Sequence, residues 1–333
     1  MNKLENSVLV SVIMPVYNRT EFIAEALDSL CRQEYKNIEV IIVDDGSQMD
    51  IESCIKDFYS KLKIFFYKKD HIGVSDSRNH GIARAHGEYL AFLDDDDLFH
   101  PQMIKTALGM AEKTGAEMIA VGYKLFWNAN IDITQEYEDF KICHNINFQT
   151  LSFNSIFPVN TVFVKKEIVD KVGRFDPHLN AVEDWDLWLR IMATGIQPRI
   201  VKRCLCFIRI HKNNTSCKDA FMQEGRLKVL QKAENYLDPK IQKEIGLKNK
   251  ITLRHVFTGW YHIAYGSKQK GRRYLFEAVR RNIFFLPFVL ILFIISILPQ
   301  RFLAWLTLKI EILLNRRNFR REETLRQRKN PKT

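Results

Sequence analysis

Glycine-rich phosphate loops are missing from this sequence. Neither the P-loop pattern (GxxxxGK followed by Ser or Thr) nor GxGxxG occurs among its 333 residues. These motifs bind phosphates in P-loop enzymes and in dinucleotide-binding folds, because their backbone N–H groups approach the phosphate closely. The sequence therefore lacks motif support for both classes of protein.

Paired cysteines are also missing. The six cysteines show neither a CxxC pair nor zinc-finger spacing: Cys31, Cys54, Cys143, Cys204, Cys206 and Cys217. Disulfide frameworks and structural zinc sites use such spacings, so we interpret these residues as reduced cysteines of a cytosolic protein. A cleavable signal peptide is not evident, since the apolar run Val8 to Val16 follows Glu5 and ends in a turn-like sequence.

Net charge is almost absent from the first 270 residues. The chain carries +11 in total, but positions 271–333 hold fourteen Lys and Arg against four acids, which leaves +1 for the rest. The basic residues flank an apolar run, and this arrangement favours a membrane surface as partner over nucleic acid. With 46% hydrophobic and 27% charged residues, the chain has the composition of a folded protein.

Strands and helices alternate along the first part of the chain. The predicted order is strand Val8–Met14, helix Glu21–Arg32, strand Ile38–Val43, helix Ile51–Tyr59 and strand Leu62–Tyr67. This order predicts an α/β, Rossmann-like fold with a mostly parallel sheet and helices on both faces. Ligands of open α/β sheets collect at the carboxyl ends of strands, so Tyr17, Asp44 and Asp45 would lie at the ligand edge.

Four consecutive acids follow a further buried strand. The apolar segment Gly87 to Leu93 runs straight into Asp94-Asp95-Asp96-Asp97. Adjacent unit charges about 5 Å apart repel by roughly 3 kcal/mol at an effective dielectric of about 20, so these acids need a compensating cation. Strand alternation would let Asp94 and Asp96 share one divalent ion while Asp95 and Asp97 face elsewhere. The alternative is a solvated acidic loop in which Asp97 caps a helix over Leu98–Lys113.

Four motifs together resemble the family 2 glycosyltransferases of GT-A fold. They are Ser11-Val12-Ile13-Met14-Pro15-Val16-Tyr17-Asn18, Ile42-Val43-Asp44-Asp45-Gly46-Ser47, Gly73-Val74-Ser75-x-Ser77-Arg78-Asn79-x-Gly81 and Phe92-Leu93-Asp94-Asp95-Asp96-Asp97. Each motif is weak alone, but four in this order and spacing are specific. The resemblance covers residues 8 to 215 and implies an inverting transferase that uses a nucleotide-sugar donor with Mn²⁺ or Mg²⁺.

The resemblance implies how the donor base is held. Pro15 and Tyr17 match residues beside the base. Asp45, with Asp44 next to it, matches the acid that reads the base edge, and uridine is the base expected. The structural alternative for Tyr17 is a core aromatic residue.

The resemblance also implies a role for the acids at the end of the fourth strand. Asp94, Asp95 and Asp96 match the DxD motif, whose acids contact the ribose and the metal ion at the donor diphosphate. Asp94 and Asp96 would hold the metal, and Arg78 would keep the acids ionised and correctly aimed. A plain salt bridge is the alternative for Arg78.

A second group of acids stands about ninety residues later. Gly173-Arg174-Phe175-Asp176 and Val182-Glu183-Asp184-Trp185-Asp186-Leu187-Trp188 again resemble this family. The matching Asp184 would be the general base, and its neighbours Glu183 and Asp186 would raise its pKa, because like charges disfavour ionisation. Alternatively, the acids only favour the positive end of a helix over Trp185–Ala193. Trp185 and Trp188 either stack on a sugar or belong to the core.

One histidine joins the candidate metal site. The segment Arg209-x-His211-x-x-x-x-Ser216 is similar to one in the same family. This similarity makes His211 a candidate contact for the metal or the diphosphate. The alternative is a surface histidine without such a role.

The predicted domains are a GT-A domain over 1–216, a helical appendage over 217–282 and a membrane-associated segment over 283–333. The first divides into a donor half over about 8–100 and an acceptor half over 101–216. The run Ile283–Leu298 is interrupted by Pro287 and is shorter than the roughly 20 residues of a membrane span. Basic residues stay on the cytoplasmic side, so clusters at both ends predict that 283–308 forms a re-entrant or in-plane helix pair there. A buried helix is the alternative.

The predicted function is inverting transfer of a sugar from a nucleoside-diphosphate donor to a hydroxyl of a lipid-linked or surface-polysaccharide acceptor. The enzymatic alternative is a sugar nucleotidyltransferase, which would show a glycine-rich triphosphate loop near its first strand. The non-enzymatic alternative is a catalytically inactive, membrane-bound scaffold of the same fold.

Overall fold

The computed structural model describes residues 8–127, 131–142, 157–179, 181–211, 219–307 and 309. By its internal contacts the chain divides into two compact units, Met1–Cys217 with Lys228–Ile245, and Lys218–Leu227 with Gly246–Thr333. The helical appendage predicted over 217–282 is thus divided between both units, because residues 228–245 belong to the first. The segment predicted as 283–333 shares the second unit with the helices before it.

The first unit is built on an eight-stranded sheet. Its strands are β1 Val10–Val16, β2 Ile38–Asp44, β3 Lys63–Lys68, β4 Tyr89–Phe92, β5 Leu98–Phe99, β6 Met118–Phe126, β7 Val162–Lys165 and β8 Arg199–Arg209. They lie in the order β3-β2-β1-β4-β7-β6-β8-β5. The predicted donor and acceptor halves therefore contribute strands to the same sheet.

The helices of this unit follow the apolar periodicity of the sequence. They are α1 Ile23–Cys31, α2 Ile51–Ile55, α3 Val74–Arg84, α4 Met103–Thr114, α5 Lys166–Lys171, α6 Glu183–Ala193, the part of α7 Asp219–Tyr236 from Lys228 onward, and α8 Pro239–Glu244. Helix α1 buries Ile23, Ala26, Leu27 and Leu30 in the core.

The first four strands of the sheet are parallel, as predicted. β1 pairs with β2 and β4, and β2 pairs with β3, all in parallel register. β1 and β2 are buried along their whole length, and this explains why they read as continuous apolar runs without alternation. The predicted α/β class is confirmed.

The second half of the sheet is mixed. β7 runs antiparallel to β4 and β6, and β5 runs antiparallel to β8. The helix over Leu98–Lys113 in the alternative interpretation of the acids starts too early, because Leu98 and Phe99 pair with Phe207 and Cys206 of β8. The helix α4 begins at Met103, after Pro101, whose ring is excluded from a helix interior.

The second unit consists of helices. They are the start of α7 up to Leu227, α9 Leu247–Tyr265, α10 Lys268–Arg281 and α11 Leu286–Ile295, with a 3₁₀ turn at Ile283–Phe285 and further helical residues at 301–307. α9 and α10 approach closely at two glycines, since a Cβ on Gly259 would lie 2.9 Å from the carbonyl oxygen of Gly271. Side chains such as Ile263, Leu275 and Leu303 fill the core between these helices.

The apolar helix α11 is short and largely exposed. It has ten residues, of which Val289 and Leu292 are buried. Most of its other large apolar side chains, including Phe288 and Ile294, are exposed, so α11 is not the buried helix of the alternative interpretation. Across the described ranges, no helix has both the length and the apolarity required to span a membrane.

Candidate active site

The four acids Asp94–Asp97, here called the acid turn, follow β4 directly. β4 ends at Phe92, and the N–H of Asp97 donates to the carbonyl oxygen of Asp94 at 3.1 Å. Strand alternation stops before the first acid, so the geometric argument that paired Asp94 with Asp96 is wrong. Asp95, Asp96 and Asp97 are each no more than 6% exposed.

Two nitrogen-bearing side chains cover the middle of the acid turn. Nη1 of Arg19 lies 2.5 Å from Oδ1 of Asp95 and 2.7 Å from Oδ2 of Asp96. Nε2 of His211 lies 2.8 Å from the same Asp96 oxygen, and its side chain is 18% exposed. The sequence placed His211 near these acids, whereas it gave no role to Arg19.

Asp97 fixes the turn to neighbouring segments. Its Oδ1 accepts a hydrogen bond from the Arg209 N–H at 2.7 Å, and its Oδ2 accepts one from the Asn160 amide. The Asn160 oxygen in turn accepts from the Asp94 N–H at 3.2 Å. The expectation that Asp97 begins the next helix is therefore wrong, because its carboxylate ties the turn to the end of β8.

The acid turn is short of positive charge. Burial raises the pKa of Asp95 to about 8, with Arg19 opposing this shift and Asp96 and Asp94 adding to it. Burial likewise raises the pKa of Asp97 well above its usual range, and the charges of Asp96 and Asp94 act in the same direction. A cation at the turn would relieve this repulsion.

The carboxylate oxygens of the acid turn fit a hard divalent cation that takes its remaining ligands from water and substrate. Carboxylate oxygens suit Mg²⁺ and Mn²⁺. Among the described residues, no three or more His, Cys, Asp or Glu side chains are grouped as a complete metal cage. Mg²⁺ sites commonly use one or two carboxylates and take their other ligands from water and substrate phosphates. Asp94 and Asp96 suit this kind of site.

An aromatic pair stands where β1 ends. Tyr17 is 45% exposed, so it is not the core residue of the alternative interpretation. Its ring stacks on His71, with 4.0 Å between centroids and 13° between planes. Pro15 is buried within β1 opposite Val43. Tyr17, and not Pro15, therefore offers an exposed face to a flat ligand.

Asp45 lies beneath this pair with its carboxylate fully engaged. Its Oδ1 accepts from Lys69 Nζ at 2.6 Å and from the Ile72 N–H at 3.2 Å. Its Oδ2 accepts from the Gly73 N–H at 2.9 Å and lies 2.7 Å from Nδ1 of His71. Burial raises the pKa of Asp45, but the Lys69 and Ile72 hydrogen bonds outweigh it and bring the pKa below its usual range. A carboxylate has about four acceptor sites, and all are in use.

The neighbouring Asp44 has a structural environment. It is buried, and its Oδ1 accepts a hydrogen bond from the Ser47 N–H at 2.9 Å. Ser47 in turn accepts from the N–H of Asn18 at 2.8 Å. Asp44 thus closes the turn after β2 and links it to the end of β1.

Arg78 on α3 connects the two predicted groups of acids. Its side chain is 4% exposed, with Nη2 2.8 Å from Asp94 Oδ1 and Nη1 2.6 Å from Glu183 Oε1. Burial opposes the guanidinium charge, but Asp94 and Glu183 together raise its pKa above the usual value. Arg78 therefore forms more than one plain salt bridge, because its buried guanidinium contacts both Asp94 and Glu183, which are 89 positions apart in the sequence.

The backbone next to Glu183 and Asp184 is strained. Val182 has φ +55°, a left-handed conformation that is unfavourable for a β-branched residue. It stands at the N-terminus of α6, whose first turn holds Glu183 and Asp184. Such strain persists where the surroundings impose it, and it is concentrated at functional sites.

Asp184 has the electrostatic environment of a base. Burial and, to a smaller extent, the charge of Glu183 raise its pKa to about 7 against the opposing effects of Arg78 and the Trp185 N–H. The sequence predicted that Asp186 would raise the pKa of Asp184. Instead, Asp186 forms two ion pairs, since its Oδ2 lies 2.8 Å from Arg190 and 2.9 Å from Lys232. A carboxylate with a pKa near 7 can accept a proton at neutral pH and release it again.

Both tryptophans of α6 belong to the core. Trp185 and Trp188 are fully buried, and Nε1 of Trp188 donates to the carbonyl oxygen of Phe157 at 3.1 Å. This excludes the interpretation of either ring as an exposed sugar-stacking surface.

The comparison with protein families agrees with this geometry. The profile described as "Glycosyl transferase family 2" matches residues 11–173. The match starts in β1 and includes both aspartates after β2, Arg78 and the whole acid turn. Residues 11–173 form a glycosyltransferase family 2 domain.

Relatives of this family 2 chain include proteins of two bacterial genera. An uncharacterized glycosyltransferase of Rickettsia typhi is 33% identical over 196 residues, which are 57% of this chain and 60% of that protein. The minor teichoic acid biosynthesis protein GgaB of Bacillus subtilis is 26% identical over 224 residues, 65% of this chain and 24% of the relative. The chain thus spans less than two thirds of the length of these relatives.

Solved structures share the GT-A fold of this family 2 chain. TarS 1–349 of S. aureus, in complex with UDP-GlcNAc, superposes with a TM-score of 0.62 at 16% identity, over 82% of this chain and 81% of that one. Mannosyltransferase PcManGT of Pyrobaculum calidifontis, in complex with GDP-Man and Mn²⁺, gives 0.58 at 16% identity, over 83% and 78%. At these identities the likeness concerns the fold.

Several residues of the family 2 site were not predicted from the sequence. Arg19, Lys69, His71, Asn160 and Arg209 all contact a predicted site residue. The one available signal was position, because Arg19 directly follows the turn at the end of β1. Asn160 lies in no motif, and its neighbours in the chain give it no chemical context.

Proposed function

We propose that the chain is a metal-dependent, inverting glycosyltransferase that moves a sugar from a nucleoside-diphosphate donor to an acceptor hydroxyl. The observation that carries this proposal is the Arg78 bridge. It brings the acid turn, which fits a cation and diphosphate, next to Glu183 and Asp184, where a base is needed. Leaving-group stabilisation and proton removal are thereby available within one site.

The donor end would hold the diphosphate against Asp94 and Asp96, with His211 beside them. A divalent cation bound there would supply positive charge to the phosphate oxygens that become more negative as the sugar leaves. Asp95 and Asp97 contribute through the charge and the shape of the turn, which Asn160 and Arg209 hold in place.

The acceptor end would use Asp184 as the base. The acceptor hydroxyl oxygen forms a bond to the anomeric carbon from the face opposite the diphosphate, while its proton passes to the Asp184 carboxylate. The bond between the anomeric carbon and the diphosphate oxygen breaks with its electron pair on the phosphate. This displacement inverts the anomeric configuration and releases a nucleoside diphosphate.

Uridine is the donor base we propose. Tyr17 offers an exposed ring for stacking, and TarS, which shares the fold, has been solved with UDP-GlcNAc. Because Lys69, His71 and two backbone N–H groups already occupy Asp45, a contact from Asp45 to the base requires one of these partners to leave. His71, which is half exposed, is the partner with most freedom to do so.

The competing enzymatic function is a sugar nucleotidyltransferase. Product analysis separates the two: incubated with a panel of nucleotide sugars, Mn²⁺ and acceptor extracts, the chain should release nucleoside diphosphate. Release of pyrophosphate from nucleoside triphosphate and sugar phosphate would favour the nucleotidyltransferase. Absence of nucleotide-sugar consumption and of nucleotide binding would favour the inactive scaffold.

We further propose that the acceptor is a lipid-linked or surface-polysaccharide glycan reached at the cytoplasmic face of the membrane. One relative is named as a teichoic acid biosynthesis protein. The second unit of this chain carries an exposed C-terminal apolar surface, made of Ile283, Phe284, Phe288, Leu290, Ile291, Ile294, Ile297, Leu298, Phe302 and Trp305. Basic side chains of α10, among them Arg273 and Arg280, stand on the adjoining helix, and they suit anionic lipid.

A double substitution tests the C-terminal apolar surface. Phe284 and Ile297 are 89% and 75% exposed, so Phe284→Asp with Ile297→Asp should leave the fold intact. Charges at the apolar boundary of a bilayer are unfavourable, and we expect at least tenfold weaker binding to vesicles containing anionic lipid. The control Tyr59→Asp replaces an exposed aromatic of the first unit and should bind like the parent. Unchanged sedimentation of the double variant would contradict the membrane proposal.

A further inference from the structure

Arg19 occupies the place where the acid turn needs positive charge. A single nitrogen, Nη1, contacts both Asp95 Oδ1 and Asp96 Oδ2. Both side chains of these acids are less than 10% exposed, whereas that of Arg19 is 26% exposed. The guanidinium therefore sits at the solvent side of two buried carboxyl groups, so it can leave without disturbing the packed core.

The backbone before Arg19 holds it over the turn. Asn18 has φ +48°, a left-handed conformation. It is stabilised on both sides, since the Asn18 N–H donates to Ser47 Oγ and the Asn18 side-chain oxygen accepts from the Gln48 N–H, each at 2.8 Å. The main chain at Arg19 is thus fixed, and its long side chain is the part that can change position.

Arg19 and a divalent cation compete for the same oxygen. Asp96, one of the two acids proposed for the metal, gives its Oδ2 to Arg19 and to His211. A divalent ion bound to Asp96 would lie within a few ångströms of the guanidinium, and like charges at such distances repel. The two occupants therefore exclude one another unless Arg19 moves.

We propose that Arg19 is a tethered counter-ion of the acid turn, which the cation and donor diphosphate displace together and which then binds the diphosphate. This inference rests on the proposed function. Arginine presents paired N–H donors that match phosphate oxygens, so the released guanidinium has a partner in the donor that displaces it. Metal alone provides no such partner, so without the donor Arg19 would keep its contacts with Asp95 and Asp96.

The test measures Mn²⁺ binding without nucleotide, by the loss of the free Mn²⁺ signal in electron paramagnetic resonance. We expect Arg19→Met to bind Mn²⁺ at least tenfold more tightly than the parent chain. Arg19→Lys should resemble the parent, because it keeps the charge. The control Arg32→Met removes the same charge from an exposed pair with Asp28 and should also resemble the parent. Thermal unfolding with and without Mn²⁺ checks that each variant is folded.

A second titration uses UDP at saturating Mn²⁺. Here the order should reverse, with Arg19→Met binding UDP at least tenfold more weakly than the parent. Mn²⁺ affinity of folded Arg19→Met equal to or below that of the parent would overturn the inference, and so would unchanged UDP affinity. If the parent chain bound no nucleotide at all, the proposed function would fail, and the Mn²⁺ titration would still decide whether Arg19 competes with a cation.

Discussion

Asp184→Asn should lower the rate of sugar transfer by roughly 10³-fold, within the range that general-base catalysis contributes. The amide has nearly the shape of the carboxylate but cannot take the proton of the acceptor hydroxyl. UDP binding with Mn²⁺ should stay near the parent value, because the donor contacts that we propose, at the acid turn and at Tyr17, do not include Asp184. Rates at saturating substrates, together with calorimetric UDP binding, separate the two effects.

The pH dependence of the transfer rate is an independent test of Asp184. Burial raises the pKa of Asp184 to about 7. Because a general base must be deprotonated to act, the parent rate should fall as pH decreases through about 7. In Asp184→Asn the residual rate should lack this acidic limb. The control Asp170→Asn, in a surface pair with Lys166 and Arg174, should keep both rate and limb. Full activity of Asp184→Asn would remove Asp184 from the mechanism.

The raised pKa of Asp184 also predicts how the stability of the fold depends on pH. Its raised pKa means that the native state binds the proton more tightly than the unfolded state does, so its ionisation costs stability as pH rises from about 4 to about 7. Above pH 7 the Asn variant escapes this cost. We therefore expect Asp184→Asn to unfold at the same or a higher temperature than the parent at pH 8, even though its transfer rate is lower.

Arg78→Met should have the second large effect, on both stability and rate. The substitution leaves Asp94 and Glu183 without their shared, buried cation, and breaking a buried ion pair typically costs about 3 kcal/mol or more. Since Arg78 opposes the raised pKa of Asp184, its loss should also move the acidic limb of the rate to higher pH. Denaturant unfolding measures the first effect and a pH–rate profile the second.

Two further variants make the Arg78 experiment specific. Arg78→Lys keeps the charge, but its single ammonium group can reach only one of the two acids that the forked guanidinium contacts. It should therefore fall between the parent and Arg78→Met in stability and in the pH of the acidic limb. Arg84→Met lies on the same helix, where Arg84 stacks on Tyr67, and should change neither the rate nor its pH dependence. A merely structural role for Arg78 would lower stability without moving the limb.

The sequence predicted those parts of the fold that depend on local patterns. β1 and β2 are buried along both faces, so their apolar runs and the polar residues after them are readable without structure. The helix over Leu98–Lys113 in the alternative interpretation starts too early, because Leu98 and Phe99 form strand pairs with β8, over a hundred residues later. No local periodicity contains that information.

The residues of the site were likewise predictable where they stand in local motifs, and not where they come from distant parts of the chain. Asp94, Glu183 and Arg78 stand in recognisable motifs, and the structure brings them together through the two contacts of Arg78. Arg19 and Asn160 reach the acid turn from 76 and 66 positions away, so they could not be assigned to it in advance. Asp45 is in the predicted place, but its four hydrogen-bond partners come from the loop before α3, which carries no readable pattern for such contacts.

The central claim is that one site uses the acid turn for a donor diphosphate and Asp184 for the acceptor. The most direct measurement is the amount of nucleoside diphosphate released per acceptor glycosylated, from a UDP-sugar with Mn²⁺, for the parent chain and for Asp184→Asn. We predict one nucleoside diphosphate per glycosylated acceptor for the parent, and binding of UDP without transfer for the variant. Release of pyrophosphate, or equal transfer by both proteins, would contradict the account.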